Sequence, residues 1–166
     1  MYQHILVAVG PGFSEAALSS AIERARDNHA RLTILHVIES SPWWAGWTAD
    51  SLCDLPSLVD QLARVIRSHC EKKLAHADIE AEWMTRRVPE DGRSIGCVIA
   101  SEADCLDVDL VVLGANKRSF FGFGLKHVRN AVCRHTDREV LIAPERVAAK
   151  ARVIELRGAA LQTQHA

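Results

Sequence analysis

The stretch DLVVLGANKRSFFGFGLKHVRN, from Asp109 to Asn130, holds a strand, a loop and the start of a helix in direct succession. Its beginning, DLVVLGA, is mostly branched and apolar, which predicts a strand buried on both faces of a sheet. The stretch contains three glycines and four Lys/Arg, and it leads into a pattern in which Leu125, Val128 and Val132 share one side of a helix. This order indicates an α/β fold and raises the question of whether the loop binds phosphate.

The same alternation of strand and helix extends outward from this stretch. Apolar runs predict four further strands, within His4–Val9, Leu32–Ile38, Ile79–Val88 and Glu139–Pro144. A helical pattern separates each strand from the next. Alternating strands and helices favour parallel pairing through right-handed crossovers, so the predicted fold class is α/β, a doubly wound parallel sheet.

The pattern between residues 55 and 74 predicts a strong amphipathic helix. Its apolar residues are predicted to share one face, which comprises Leu55, Leu58, Val59, Leu62, Val65, Ile66, Cys70 and Leu74.

The composition is that of one ordinary globular domain. The chain has 166 residues, of which 48% are hydrophobic and 25% charged. A net charge of −1 gives no general attraction to nucleic acid or membrane. Five cysteines without a C-x-x-C pair indicate neither a disulfide framework nor a zinc ribbon. With neither a signal peptide nor a membrane span in the pattern, the sequence predicts a cytoplasmic protein with no nucleic acid or membrane partner.

Ligands of open parallel sheets bind beyond the carboxyl ends of the strands, which makes the loops at Gly10 and Gly114 the first candidates. The loop after Gly114 nevertheless matches known phosphate loops poorly. It lacks the hydroxyl and spacing of a P-loop, and His127 stands where the third glycine of G-x-G-x-x-G would be. Its cations could still form an anion-binding surface beside a helix start, although a solvated cationic face balanced by acids elsewhere is the preferred interpretation.

No catalytic or metal-binding constellation stands out. H-E-x-x-H, G-x-S-x-G and paired carboxylates are absent from the sequence, so no catalytic residue and no metal site is predicted. His36 lies inside a strand and is interpreted as a hydrogen-bonded core residue. Trp43, Trp44 and Trp47 cluster in a predicted loop, where they would either cap the core or form a surface for a partner.

Four segments together resemble the universal stress protein family. They are YQHILVAV, RLTILHVI, DVDLVVLGANKRS and REVLIAP, and the likeness covers about residues 2 to 144. The resemblance implies a five-stranded parallel sheet in the order 3-2-1-4-5 with helices on both faces, within a domain of residues 1–144. Residues 145–166 form a C-terminal extension that the resemblance does not cover. The resemblance also implies homodimers paired through the last strand, here Val140, Leu141, Ile142 and Ala143.

One branch of this family binds ATP through an acidic residue after strand one and the pattern G-x-x-G-x9-G-[ST] after strand four. Those five positions correspond here to Gly10, Gly114, Lys117, His127 and Val128. Only Gly114 matches, and Val37 beside the expected base position offers mainly backbone. The sequence therefore resembles the branch without bound nucleotide.

Three functional hypotheses follow. The first is a non-enzymatic, dimeric stress-response protein that has no cofactor and acts by contact with other proteins. The alternative is a regulatory module that binds ATP or another anion through the basic loop 114–129. The cations available to that loop are Lys117, Arg118, Lys126 and Arg129. A nucleotide hydrolase ranks last, because nothing near Gly114 supplies a general base or a metal-binding carboxylate.

Overall fold

The computed structural model describes residues 1–10, 15–38, 55–115 and 125–144. Strands and helices alternate along these residues, as predicted. In chain order they are β1 (His4–Val9), α1 (Glu15–Asn28), β2 (Arg31–Ile38), α2 (Leu55–Ala77), β3 (Glu82–Arg87), α3 (Ile95–Cys105), β4 (Leu110–Gly114), α4 (Leu125–His135) and β5 (Glu139–Ala143).

All five strands form one parallel sheet in the order β3-β2-β1-β4-β5. The predicted fold class and strand order are therefore confirmed. β1 lies at the centre, where Val7 pairs with Ile34 of β2 on one side and with Val112 of β4 on the other. β3 and β5 are the edge strands.

Successive residues of the central strands serve two separate cores, because side chains alternate between the faces of a sheet. On one face, α1 and α2 pack on the cluster that contains Ile5, Val7, Ile34 and Val112. On the other face, α3 and α4 pack on the cluster that contains Leu6, Leu35, Val111 and Leu113. Burial on both faces explains why the strands are continuous apolar runs.

The apolar face predicted for helix α2 is only partly buried. Ile66, Cys70 and Leu74 are buried, as expected. Leu58, Leu62 and Val65, in contrast, are 51%, 37% and 66% exposed. At 3.6 residues per turn these three lie on average about a third of a turn away from the buried residues. The helix thus has two apolar stripes, of which one contacts the sheet. The side chain of Leu55 lies outside the described set.

Helices α3 and α4 approach each other closely at Gly96. A β-carbon at this position would lie 2.6 Å from both the β-carbon of Ala131 and the carbonyl oxygen of Val128. Real side chains do not tolerate such distances from a backbone atom. Glycine at position 96 therefore permits the observed spacing of the two helices.

At the amino ends of the strands, side chains join β1, β2 and β4. The carboxylate of Asp109 accepts hydrogen bonds from the backbone N–H groups of Gln3 and His4, at 2.6 and 2.8 Å. These bonds lower the pKa of Asp109. The buried ring of His4 lies 2.8 Å from the hydroxyl of Thr33 on β2. This end of the sheet is thus held by polar contacts.

Some predictions concern parts of the chain outside the described residues. They are the two interpretations of Trp43, Trp44 and Trp47, and the extension 145–166. Within the ranges that the structure does describe, no helix is both long and apolar enough to cross a membrane.

Candidate functional site

A cavity of about 100 Å³ opens at the carboxyl ends of the central strands. Two elements of the same sheet face, α3 and α4, supply its other walls. Its lining consists of Ala8, Val9 and Gly10 at the end of β1, Val37 of β2, Leu113 and Gly114 of β4, Ile95 and Ile99 of α3, and Val128 and Arg129 of α4. This is the place where ligands of open parallel sheets bind.

The structure brings five of the nine ligand-binding residues considered from the sequence to this cavity, namely Gly10, Val37, Gly114, Val128 and Arg129. His127 is exposed on α4 and does not line the cavity. Lys117, Arg118 and the side chain of Lys126 lie outside the described residues. Whether these positions bind a ligand stays a prediction.

Sequence reasoning missed the contribution of α3. Ile95 and Ile99 lie one turn apart and present an apolar wall to the cavity. Their spacing was visible in the sequence, but it marks a core-facing helix side as readily as a cavity wall. The close approach at Gly96 places this wall opposite Val128.

His36 fixes the end of β1 beside the cavity. Its ring is 3% exposed, and its Nδ1 lies 3.0 Å from the carbonyl oxygen of Val9. A neutral ring protonated at Nδ1 donates to this carbonyl. The interpretation of His36 as a hydrogen-bonded core residue therefore agrees with the structure, and its contact holds the backbone that leads into Gly10.

Arg129 is the one charged residue among the cavity-lining residues that the structure describes. It is half-buried, and its Nε is fully buried with no hydrogen-bond partner among the described residues. A buried donor without an acceptor costs about 1–3 kcal/mol. The cavity thus combines an apolar lining with one arginine, whose buried Nε has no acceptor among the described residues.

The N-terminus of α3 carries a polar group near the cavity wall. Ser94 caps the helix and accepts a hydrogen bond from the N–H of Cys97 at 3.3 Å. The Ser94 hydroxyl also lies 3.2 Å from the sulfur of Cys97, and its hydrogen bonding lowers the pKa of that thiol. Neither residue lines the cavity, and Ser94 starts the helix that carries Ile95.

Over the described ranges, no group of three or more His, Cys, Asp or Glu side chains could hold a metal ion. The geometry defines a doubly wound α/β protein whose candidate ligand site lies at its strand ends. The model of the universal stress protein family matches residues 1–144, and the chain belongs to that family.

Solved structures of the family share this fold at low sequence identity. Universal stress protein UspA from Lactobacillus plantarum is 22% identical with a TM-score of 0.64, and the match covers 86% of this chain and 97% of that chain. The universal stress protein from Archaeoglobus fulgidus, solved in complex with dAMP, is 21% identical with a TM-score of 0.60, covering 85% and 97%. A universal stress protein in complex with cAMP is 19% identical with a TM-score of 0.55, covering 87% and 98%. Comparison with curated proteins finds no significant match.

Proposed function

We propose that the chain is a non-enzymatic, dimeric stress-response protein of the cytoplasm that acts by contact with other proteins and holds no ATP. The observation that carries this proposal is Gly10. A β-carbon added there would meet no atom of the described residues within 4 Å, so these residues leave room for the start of an acidic side chain. Among the described lining residues there is no carboxylate that could accept hydrogen bonds from a ribose.

The size and chemistry of the cavity support the same proposal. Its volume of about 100 Å³ is small beside the roughly 300–1,000 Å³ of typical ligand pockets. Its lining is apolar apart from Arg129 and backbone. ATP carries a polar ribose and a chain of phosphates, which require donors and acceptors that the described lining does not offer.

The alternative is a regulatory module that binds ATP or another anion through the loop 114–129. Two observations favour it. Arg129 adds a positive charge to the cavity lining, and relatives with the same fold were solved with dAMP and cAMP. Lys117, Arg118 and Lys126 would add positive charge in this alternative.

Restoring the family's ATP pattern tests the proposal. The variant combines Gly10→Asp, Lys117→Gly, His127→Gly and Val128→Ser. Each well-placed hydrogen bond contributes roughly 0.5–1.5 kcal/mol, so a total gain of roughly 3 kcal/mol is expected. That gain would move the affinity for Mg-ATP from weaker than about 1 mM to the order of 10 μM.

Isothermal titration calorimetry with Mg-ATP on both proteins gives the answer. The unmodified chain is expected to release no nucleotide when purified from cells and denatured, and to show no saturable heat with Mg-ATP. Tight binding of ATP by the unmodified chain would contradict the proposal and support the alternative. Failure of the restored variant to bind would mean that the shape of the cavity, and not these four side chains, excludes ATP.

A further inference from the structure

We propose that the cavity binds a small organic anion, a carboxylate attached to a short apolar body, with Arg129 as its counter-ion. This inference rests on the proposal that the site does not hold ATP, and it names the chemical class that the site takes instead. Three observations carry it: the apolar lining, the unsatisfied donor of Arg129, and the absence of an acid at position 10.

The apolar body of the ligand is specified by the lining. Val37, Leu113 and Ile99 are buried residues of the cluster beneath α3 and α4, and all three line the cavity. The volume of about 100 Å³ is of the order of apolar protein cavities of about 150 Å³ that take up benzene. A chain of a few carbons or one aromatic ring therefore fits, whereas a nucleoside does not.

The carboxylate head is specified by Arg129. Its guanidinium has a planar fork of donors that matches the two oxygens of a carboxylate. Its Nε is buried and has no partner among the described residues. A single guanidinium neutralises one negative charge, which suits a monoanion better than a chain of phosphates. An anion in the cavity would lie beside Arg129, a lining residue whose charge no described carboxylate of the lining balances.

Gly10 makes the cavity acceptable to an anion. An acidic residue at the end of β1 would repel a carboxylate at short range, since like charges within a few ångströms disfavour each other. In this chain the position carries no charge and no side chain. Glycine in place of an acid at position 10 therefore has two effects. It removes a partner for ribose, and it removes the repulsion that an acid would exert on a negatively charged ligand.

Titration of the full-length protein with hexanoate and benzoate tests the inference. Two control ligands are 1-hexanol, which has the apolar chain without the charge, and inorganic phosphate, which has the charge without the chain. Binding is followed by calorimetry and by shifts of backbone amide signals in NMR spectra. We expect saturable binding of the carboxylates with a Kd of the order of 1 mM or tighter, and shifts at Gly10 and Gly114. Hexanol and phosphate each lack one half of the ligand and are expected to bind at least about tenfold more weakly.

Two variants of α4 separate a specific counter-ion from general positive charge. Arg129→Met keeps much of the apolar length and removes the charge, and it is expected to weaken hexanoate binding at least about tenfold. Arg134→Met is the matched control, because Arg134 is exposed on the same helix and does not line the cavity. This control is expected to bind as the unmodified protein does.

A third variant addresses the cavity itself. Gly10→Val places a branched side chain at the wall, where an added β-carbon meets no described atom within 4 Å, and it is expected to exclude both carboxylates. No saturable binding up to about 10 mM, or equal affinity in the Arg129→Met variant, would overturn the inference.

Parallel titration with Mg-ATP distinguishes the two proposals. Binding of ATP would contradict the proposed function, whereas binding of neither ligand would contradict this inference alone.

Discussion

At the scale of single residues, His4 shows how a buried polar group is satisfied in one protonation state. A ring protonated at Nε2 donates to the Thr33 hydroxyl at 2.8 Å and leaves Nδ1 to accept from Arg31 at 2.7 Å. Burial lowers the pKa of His4, and the positive charge of Arg31 lowers it further. The carbonyl of Leu106, 3.2 Å from Nδ1, acts in the opposite direction but does not outweigh these effects.

This arrangement predicts a loss of stability in mild acid. The pKa of His4 in the folded protein lies below the value of 6.5 for a free histidine. As the pH falls towards that value, the unfolded state therefore binds more protons than the folded state does. The stability that neutral His4 contributes is present above it and is lost as the pH falls through the folded pKa. We expect the free energy of unfolding to fall between about pH 7 and pH 5.

Urea denaturation across this pH range, on the unmodified protein and on His4→Gln, measures the effect. The variant is expected to be less stable at neutral pH and to show a flatter dependence on pH. His135→Gln is the control, because His135 is exposed on α4. It shows how far the loss of an exposed histidine changes the dependence of the free energy of unfolding on pH. An unchanged slope in His4→Gln would show that His4 is not the responsible group.

At the scale of elements, the contact of α3 with α4 depends on Gly96. Gly96→Ala would place a β-carbon 2.6 Å from the carbonyl oxygen of Val128, so the helices would have to separate. Overpacking of this kind costs about 1–3 kcal/mol, against which the better helix propensity of alanine returns about 1 kcal/mol. We expect net destabilisation in thermal unfolding.

Ser101→Ala is the control for this change, because it lies on the exposed side of the same helix. It should leave the melting temperature nearly unchanged. If Gly96→Ala were as stable as the parent protein, the tight approach of the two helices would be refuted.

The two apolar stripes of α2 make a second prediction about an element. Ile66 is 5% exposed and belongs to the core, whereas its neighbour Val65 is 66% exposed. Ile66→Ala is expected to lower the free energy of unfolding by about 2–5 kcal/mol. Val65→Ala should change it by no more than about 0.5 kcal/mol. Chemical denaturation of both variants compares their free energies of unfolding. A large loss of stability in Val65→Ala would contradict the exposure of the Val65 side chain.

The same helix shows why some features of an element escape sequence reasoning. The sequence predicted that α2 exists, because apolar residues recur at helical spacing. It could not show which apolar residues touch the sheet, since Leu62 and Ile66 satisfy the same spacing. β1 and β4 had no such ambiguity, because residues on both sides of each strand are apolar and both sides are buried.

At the scale of the whole molecule, the fold followed from the alternation of elements, and the place of the site followed from the fold. Gly10 and Gly114 could be brought together in advance because parallel strands end at the same edge of a sheet. The unsatisfied state of Arg129 could not be predicted, since it depends on which acceptors the tertiary structure leaves within reach. The wall formed by Ile95 and Ile99 likewise depends on how closely α3 and α4 approach.

Assembly is the prediction that belongs to this scale. β5 is an edge strand, and Val140, Leu141 and Ile142 are half-buried along it, while Ala143 is 2% exposed and would contribute mainly backbone. We expect the protein to form a homodimer by pairing of β5 with its copy. Ile142→Lys is expected to weaken the dimer at least about tenfold, equivalent to about 1.4 kcal/mol. Light scattering over a range of micromolar concentrations measures this.

Two controls keep the result specific. Ile142 also packs against the cluster beneath α3 and α4, so circular dichroism must show that the lysine variant is folded. Thr85→Lys adds the same charge to the opposite edge strand, where Thr85 is exposed. That variant should dimerise normally. A monomeric unmodified protein at micromolar concentration would contradict the prediction.

The two edges of the sheet differ in a way that limits how far such assembly can grow. β3 presents Glu82, Arg86 and Arg87 to solvent, and both arginines are engaged in ion pairs with helices of their own chain. Charged side chains on an edge strand discourage the addition of another strand. A copy joined at β5 by two-fold symmetry occupies that edge in both partners. The particle would then have charged strands at both outer ends, so growth would stop at two copies and not continue into a filament.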